Sequence, residues 1–479
     1  MRQNWPAVAI IAVFFIVGAL YVVNTPTWQV PDEPAHYNYI RSFAEGDGFP
    51  VMEPGDYDQA YLSRLTSEGF PPVLPVESLE YEDHQPPLYY MLATPVYWLA
   101  GGSVVALRMF SLLLGSVAVA MLMLILREFW PDRPGVAWLG GGIVAFIPQF
   151  VAMMAAVNND ALILALLWLW IWLALRYLPG NTSAWVLGGV LGALLITKST
   201  GYGALALAVV VVALRARREG QLFRWTIREM ASLVLPALAL GALWWGRNAI
   251  VYGWPDVMGL IRHDAVVVGQ PRTVDWITRD GLFPYLDGAA QTTFRSFWGQ
   301  FGWMGVVLDS RIYRGLAIFS GLIVWGAVWW LVVVLRQGLE ARQRDTLILL
   351  GTSSLITIAM FVWYNVTFVQ HQGRYLFPAL PIVAVAAARG LEQLLDHKLA
   401  VSTALLLLMV VMVTGVVGVI VGNLPLWSMF LVCVPAILLP AAAFVPPRWR
   451  SLFGAGLLAA LAALDVLCLF GFIVPLLTR

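Results

Sequence analysis

Charge is what this sequence has least of. Of its 479 residues only 12% are Asp, Glu, Lys or Arg, whereas 60% are hydrophobic. A soluble domain carries roughly 25% charged residues, so a soluble globular protein is excluded. Lysine is nearly missing: Lys198 and Lys398 are the only two, and arginine supplies the other positive charges. The formal net charge of +1 removes the bulk electrostatic case for nucleic acid. The two cysteines, Cys433 and Cys468, sit in apolar runs. They suggest neither a disulfide framework nor a zinc site, and read as small buried hydrophobes. No clear inverted repeat is present, and few charges lie in the middle of apolar runs, which weighs against a secondary transporter and an ion path.

What is abundant is apolar sequence in lengths that cross roughly 30 Å of hydrocarbon. The opening "MRQNWPAVAIIAVFFIVGALYVV" lacks a small-residue cleavage site and reads as a retained first helix. The runs predict an all-α polytopic membrane protein with about 13 spans: 6–24, 103–128, 135–157, 160–178, 183–198, 201–215, 229–250, 314–336, 346–366, 374–395, 400–422, 424–445 and 452–475. The short pair flanking Lys198 could also be one re-entrant or broken feature. Basic loops such as "RARREGQLFRWTIRE", "RQGLEARQR" and "PPRWR" fall on one side and mark it as cytoplasmic. Two large loops, about 25–102 and 251–313, then face outward. Loops of that length are usually functional. Both hold apolar pieces too short to span, such as "PPLYYMLATPVYWLA", which suit helices lying in the interface.

The polar residues gather on that outer face. "PDEPAHYNYIR" places Asp32 and Glu33 directly after the first span. "EDHQPPLYY" carries Glu82, Asp83, His84 and Gln85, and "NND" ends on Asp160. Arg108, Lys198 in "TKSTG", Arg247 in "WWGRN", and His371 with Arg374 in "QHQGRYLFP" supply the positive side. Each has a bland reading. Glu33 before Pro34 could cap a short helix, with Asp32 at its positive end. The asparagines and Asp160 could cap the next helix, and the basic residues could snorkel to headgroups. The conjunction favours a site: carboxylates from three separated segments facing several cations.

Such a rim suits a sugar carried on a lipid phosphate. The bundle offers a groove for the lipid. Phosphate leaves without a general acid, unlike the leaving group of an ordinary glycosidase. One carboxylate then suffices to take the proton of an acceptor hydroxyl. Arg and Lys would steady the departing phosphate, alone or with a divalent metal.

The motifs "PDEPAHYNYIR", "HQPPLYY", "LRMFSLLLG", "NND", "TKSTG", "WWGRNAIVYGWP", "SFWGQFGWM" and "QGRYLFPALP" resemble those of bacterial integral-membrane glycosyltransferases of the GT-C superfamily. The branch is the one related to protein O-mannosyltransferases and the lipid A aminoarabinose transferase. The resemblance covers most of the chain to about residue 385, and the later helices match only in character. It implies a GT-C catalytic module over 1–395, followed by C-terminal transmembrane helices over 396–479. It implies inverting transfer from a polyprenyl-phosphate sugar to a glycan, lipid or protein hydroxyl, on the extracytoplasmic side of a bacterial inner membrane. By that resemblance Asp32 is the catalytic base and Glu33 its neighbour, orienting an acceptor or metal. Glu82, Asp83 and His84 form a second acidic or metal-supporting position, and Asp160 a further acidic one. The chain departs from several relatives in carrying His-Gln before the Pro-Pro pair. Lys198 and Arg374 are expected at the donor phosphate, with Arg108, Arg247 and His371 behind them. Tyr37, Gln85, Trp298 and Trp303 are expected to line the pocket, although the tryptophans could equally be interfacial anchors. A divalent metal, magnesium or manganese, would fall to Asp32, Glu33 and Asp83. Two other functions stay open at this point: a flippase or transporter of a lipid-linked saccharide, and a non-catalytic assembly subunit.

Overall fold

The computed structural model describes residues 4–221 and 223–478, and it is almost entirely helical. The chain opens with α1 (Trp5–Asn24) and then builds a first outer segment from α2 (Glu33–Glu45), α3 (Gln59–Glu68) and α4 (Leu88–Leu99). It re-enters the bundle as α5 (Val104–Phe129), α6 (Pro134–Ala145), α7 (Pro148–Met154), α8 (Asp160–Tyr177), α9 (Ala184–Leu195), α10 (Gly203–Glu219) and α11 (Phe223–Val251). A second outer segment holds α12 (Leu260–Val266), α13 (Thr273–Asp280), α14 (Leu282–Trp298) and a hairpin pairing Gln300–Phe301 with Val306–Val307. The remaining long helices are α15 (Ser310–Gln337), α16 (Ala341–Thr367), α17 (Leu380–Leu394), α18 (His397–Val421), α19 (Leu426–Phe444) and α20 (Pro447–Cys468).

Eleven helices among the described residues are long and apolar enough to cross a membrane, or twelve if a bent pair counts as one span. The expected thirteen differ at two places. The run 135–157 is not straight: α6 and α7 meet at 70°, where Pro148 cannot donate to the helix ladder and starts a new one. The run 183–198 yields α9, only 12 residues long, too short to span alone. A 3-10 turn, Ser199–Tyr202, joins it to α10, and Lys198 sits at that break.

Three cores hold the outer segments over one end of the bundle. The largest runs through the bundle itself, with Phe14, Phe150, Trp168 and Trp170 fully buried. A second joins α2 to α4 and to the starts of α5 and α8: the rings of Tyr39 and Tyr90 stack with centroids 3.6 Å apart. Such a pair adds about 1 kcal/mol beyond its buried area. A third lies wholly in the outer segments, where Leu65, Phe70, Leu79 and Tyr81 of the first meet Val266 and Val267 of the second. The two outer segments therefore form one lid of protein over the helix ends, and the polar residues lie along their seam.

Candidate active site

The seam begins where α1 ends. Asp32 adopts φ 68° and ψ −4°, a left-handed conformation that Asp tolerates better than most residues. It precedes α2, whose second residue is Pro34, suited to a first turn. Asp32 and Glu33 then part company. Glu33 is fully buried and takes both arms of Arg108, Nε at 2.7 Å and Nη2 at 2.6 Å. The backbone N–H groups of Trp28 and Val157 donate to the same carboxylate at 3.1 and 3.2 Å. The other donors of Arg108 reach the carbonyls of Val22, Thr25 and Pro26 at the end of α1. Those carbonyls have no partner within the helix, so this ion pair ties α1, α2, α5 and the turn before α8 together. Neither residue lines the cavity described below. Glu33 and Arg108, expected as a catalytic residue and a phosphate ligand, are directed inward here, with every donor and lone pair used.

Asp32 instead faces a cavity of about 390 Å³ between the outer segments and the stretch before α17. Its Oδ2 accepts from Arg374 Nη2 at 2.6 Å and its Oδ1 from the Tyr81 hydroxyl at 3.2 Å. Burial would raise the Asp32 carboxyl, but the charge and hydrogen bond of Arg374, helped by Lys198, hold it below the usual carboxylate range. Asp32 is thus an ionised carboxylate with about a quarter of its side chain open to the cavity. Arg374 lies on a 3-10 turn, Gly373–Ala379, and its Nε is buried with no partner. Its Nη1 reaches only Met153 Sδ, at 3.9 Å. An orphaned guanidinium donor beside a cavity is costly unless something arrives to meet it.

Glu82 lines the same cavity, and its carboxylate makes no hydrogen bond or ion pair with the described residues. Burial and the nearby Asp32 push it up to about 8. Asp83 points elsewhere: it is buried, its Oδ1 is unpartnered, and burial with the charges of Glu80, Asp56 and Glu82 pushes it up to about 9. The second acidic group at the cavity is therefore Glu82, not Asp83. Behind them Lys198 Nζ and Asp160 Oδ1 pair at 2.5 Å, off the cavity wall.

The other expected residues divide. His371 lines the cavity and shares a hydrogen bond with the Tyr285 hydroxyl at 3.1 Å. Trp303 also lines it, with Nε1 donating to the Trp28 carbonyl at 2.9 Å and its ring stacked on Phe70. Trp298 does not: it is buried against Phe297 and Phe319. The His84 ring packs tilted against His263 with centroids 4.4 Å apart and shares a hydrogen bond with the Tyr81 carbonyl at 3.1 Å, and Gln85 packs beside it. Tyr37 donates to the Gly102 carbonyl at 2.9 Å. Arg247 is spent on the carbonyls of Phe49 and Pro50 and on the face of Trp244. None of these last four touches the cavity. Each meets a backbone or ring group of the outer lid instead.

The three carboxylates expected to share a divalent metal are not brought together: Asp32 is committed to Arg374 and Tyr81, Glu33 to Arg108, and Asp83 lies off the cavity. Among the described residues no group of three or more His, Cys, Asp or Glu converges.

Sequence reasoning missed His36, Tyr81 and Tyr375. His36 follows Asp32 by four residues, the spacing that shares a helix face, so a signal existed. It bonds the Tyr90 hydroxyl at 2.9 Å, and burial drives it down to about 3, leaving it neutral. Two cavity-lining amides also carried no signal: Gln270 and Gln300 each hold a buried, unpartnered Oε1.

Residues 84–245, less than half the chain, match the family model described as dolichyl-phosphate-mannose-protein mannosyltransferase. Among solved structures, ArnT from Cupriavidus metallidurans in the apo state aligns with a TM-score of 0.53 at 17% identity, over 99% of this chain and 77% of that one. The same protein bound to undecaprenyl phosphate aligns with a TM-score of 0.48 at 18% identity, over 100% and 77%. No curated protein matches in sequence. The chain shares the fold of ArnT, and one part of it matches the mannosyltransferase family model.

Proposed function

We propose that this multi-pass membrane protein transfers a sugar from a polyprenyl-phosphate donor to an acceptor hydroxyl, with inversion, on the extracytoplasmic side of a bacterial inner membrane. The observation that carries this reading is the unpartnered Nε of buried Arg374 beside the ionised Asp32. The donor named in the matching family model, a mannose on dolichyl phosphate, supports the donor class.

The steps follow from charge. The donor phosphate engages the free N–H groups of Arg374, with the Lys198–Asp160 pair behind it. Arg374 then divides its charge between phosphate and Asp32, so Asp32 holds a proton more readily than before. The acceptor hydroxyl gives its proton to Asp32 as its oxygen attacks the anomeric carbon from the face opposite phosphate. One carbon–oxygen bond forms and the bond to phosphate breaks. The polyprenyl phosphate departs as an anion on Arg374 and needs no acid. No step passes through a metal. Tyr81 and Arg374 orient Asp32, and the Trp303 hairpin closes one wall of the pocket.

Purified protein incubated with a panel of polyprenyl-phosphate sugars tests the proposal. Slow hydrolysis of one donor identifies the sugar with no acceptor added. Asp32→Asn should cut transfer by on the order of 10²–10⁴-fold while donor binding persists. A product with retained anomeric configuration would sink the mechanism. A flippase would keep its transport rate in the same variant.

A further inference from the structure

The far end of the bundle holds a second cavity, of about 230 Å³. Its position follows from the helices that reach it. α5 carries Arg108, the partner of Glu33, near its start and Glu128 one residue before its end at Phe129; α8 starts at Asp160 and ends at Tyr177. Glu128, Arg176, Arg218 and Arg342 line this cavity, so it lies a full helix length from Asp32. It opens where α5, α8 and α10 end and where α16 begins.

Three helix C-termini converge there, and their carbonyl dipoles repel an anion. The arginines more than offset this. Arg218 Nε bonds the buried carboxylate of Asp345 at 2.5 Å, and Arg342 pairs with Glu128. No carboxylate among the described residues pairs with Arg176, whose guanidinium instead rests 5.3 Å from the Trp172 ring centroid. Arg344 also pairs with Asp345, at 3.3 Å, so the arginines outnumber the two carboxylates and leave a net positive charge. The ion pairs also fix the planes of Arg218 and Arg342 while using only some of the five donors each guanidinium carries. α16 adds its own positive end, since Glu340 makes no side-chain cap there. The floor is apolar, formed by the buried side chains of Leu175 and Leu178.

Cationic donors at the end of membrane-crossing helices, over an apolar floor, match one chemistry: a phosphate with acyl chains attached. We infer that this cavity binds the phosphate headgroup of an anionic membrane lipid, with its acyl chains running along the exposed face of α5 at Leu124, Val117 and Leu113. Basic pockets between spans recognise such lipids. This inference stands apart from the proposed reaction and does not depend on it.

The test uses the full protein in phosphatidylcholine nanodiscs. Phosphatidylglycerol is titrated in, and retained lipid is counted by native mass spectrometry. Binding should be saturable, weaken as salt rises, and fall about fivefold for Arg176→Gln and again for Arg342→Gln. Arg176→Lys keeps the charge and should retain lipid, which separates loss of charge from loss of fold. Arg311→Gln, an exposed arginine near Trp427, should change nothing. Equal retention in wild type and Arg176→Gln would overturn the inference. So would equal retention of phosphatidylcholine, or displacement by millimolar inorganic phosphate, which would mark a free-anion site.

Discussion

Asp32 and Glu33 are neighbours in the chain and opposites in the structure. Glu33 is sealed: four donors meet it, and its Arg108 spends the rest of its N–H groups on the end of α1. Asp32 is held by two donors and opens to a cavity. The difference teaches that an acidic pair beside a span can be two devices, one that locks the lid to the bundle and one left available for chemistry. Burial separates them in part, since Glu33 is fully buried and about a quarter of the Asp32 side chain is open. What separates them further is whether every lone pair and every partner donor is used.

The comparison can be broken from either side. The largest effect should come from Arg108→Ala, which strands a buried carboxylate; the expected loss is about 3–5 kcal/mol of stability, read as a fall in the thermal unfolding midpoint in detergent. Asp32→Asn should act on turnover instead. It should cut transfer by on the order of 10²–10⁴-fold, with a smaller midpoint change than Arg108→Ala. If the two variants swapped these signatures, the division of labour would be wrong.

Acidity sharpens the contrast next. Glu82 has its folded value raised to about 8 from 4.5. A raised value means that the folded state holds the proton more tightly than the unfolded chain. Its contribution is therefore fully present below about pH 4.5 and lost as pH rises through about 8. Wild type should lose stability relative to Glu82→Gln across that window, measured as the difference in unfolding midpoint at each pH. Asp32 has the opposite sign: its folded value is depressed, so its contribution is present above the usual carboxylate range and lost as pH falls below it. A flat wild-type-minus-Gln difference between pH 5 and pH 8 would remove Glu82 from the buried side of the cavity. The smallest effect belongs to Trp303→Phe, which deletes the hydrogen bond to the Trp28 carbonyl. About 1 kcal/mol of stability should go, with the unfolding midpoint as the readout.

Much of this was legible in the sequence for physical reasons. Apolar run length located the spans, because hydrocarbon thickness sets it. It failed at 135–157 and 183–198, since hydropathy does not see a 70° bend or a short helix completed by a 3-10 turn. The gathering of polar residues on one face is readable from which loops share a side, and Asp32, Glu82, His371, Arg374 and Trp303 line one cavity. That reading does not rank neighbours. Whether Glu82 or Asp83 turns inward depends on the turn before Pro86, and whether Arg108 is free depends on carbonyls at the end of α1. The same holds for Arg247, which looked like a phosphate ligand until the carbonyls of Phe49 and Pro50 claimed it.

One feature carries over to how the chain is made. Glu33 and Arg108 are 75 residues apart, whereas Asp32 and Arg374 are separated by 342. At a synthesis rate of roughly 5–20 residues per second, the first partner emerges after roughly 4–15 s and the second after roughly 17–70 s. The clamp can therefore close on the nascent chain while most later spans are still untranslated. Asp32 must wait, unpaired, until the turn before α17 leaves the ribosome. A truncated product would hold a lid already fastened to its first helices, over a carboxylate that has never met its arginine.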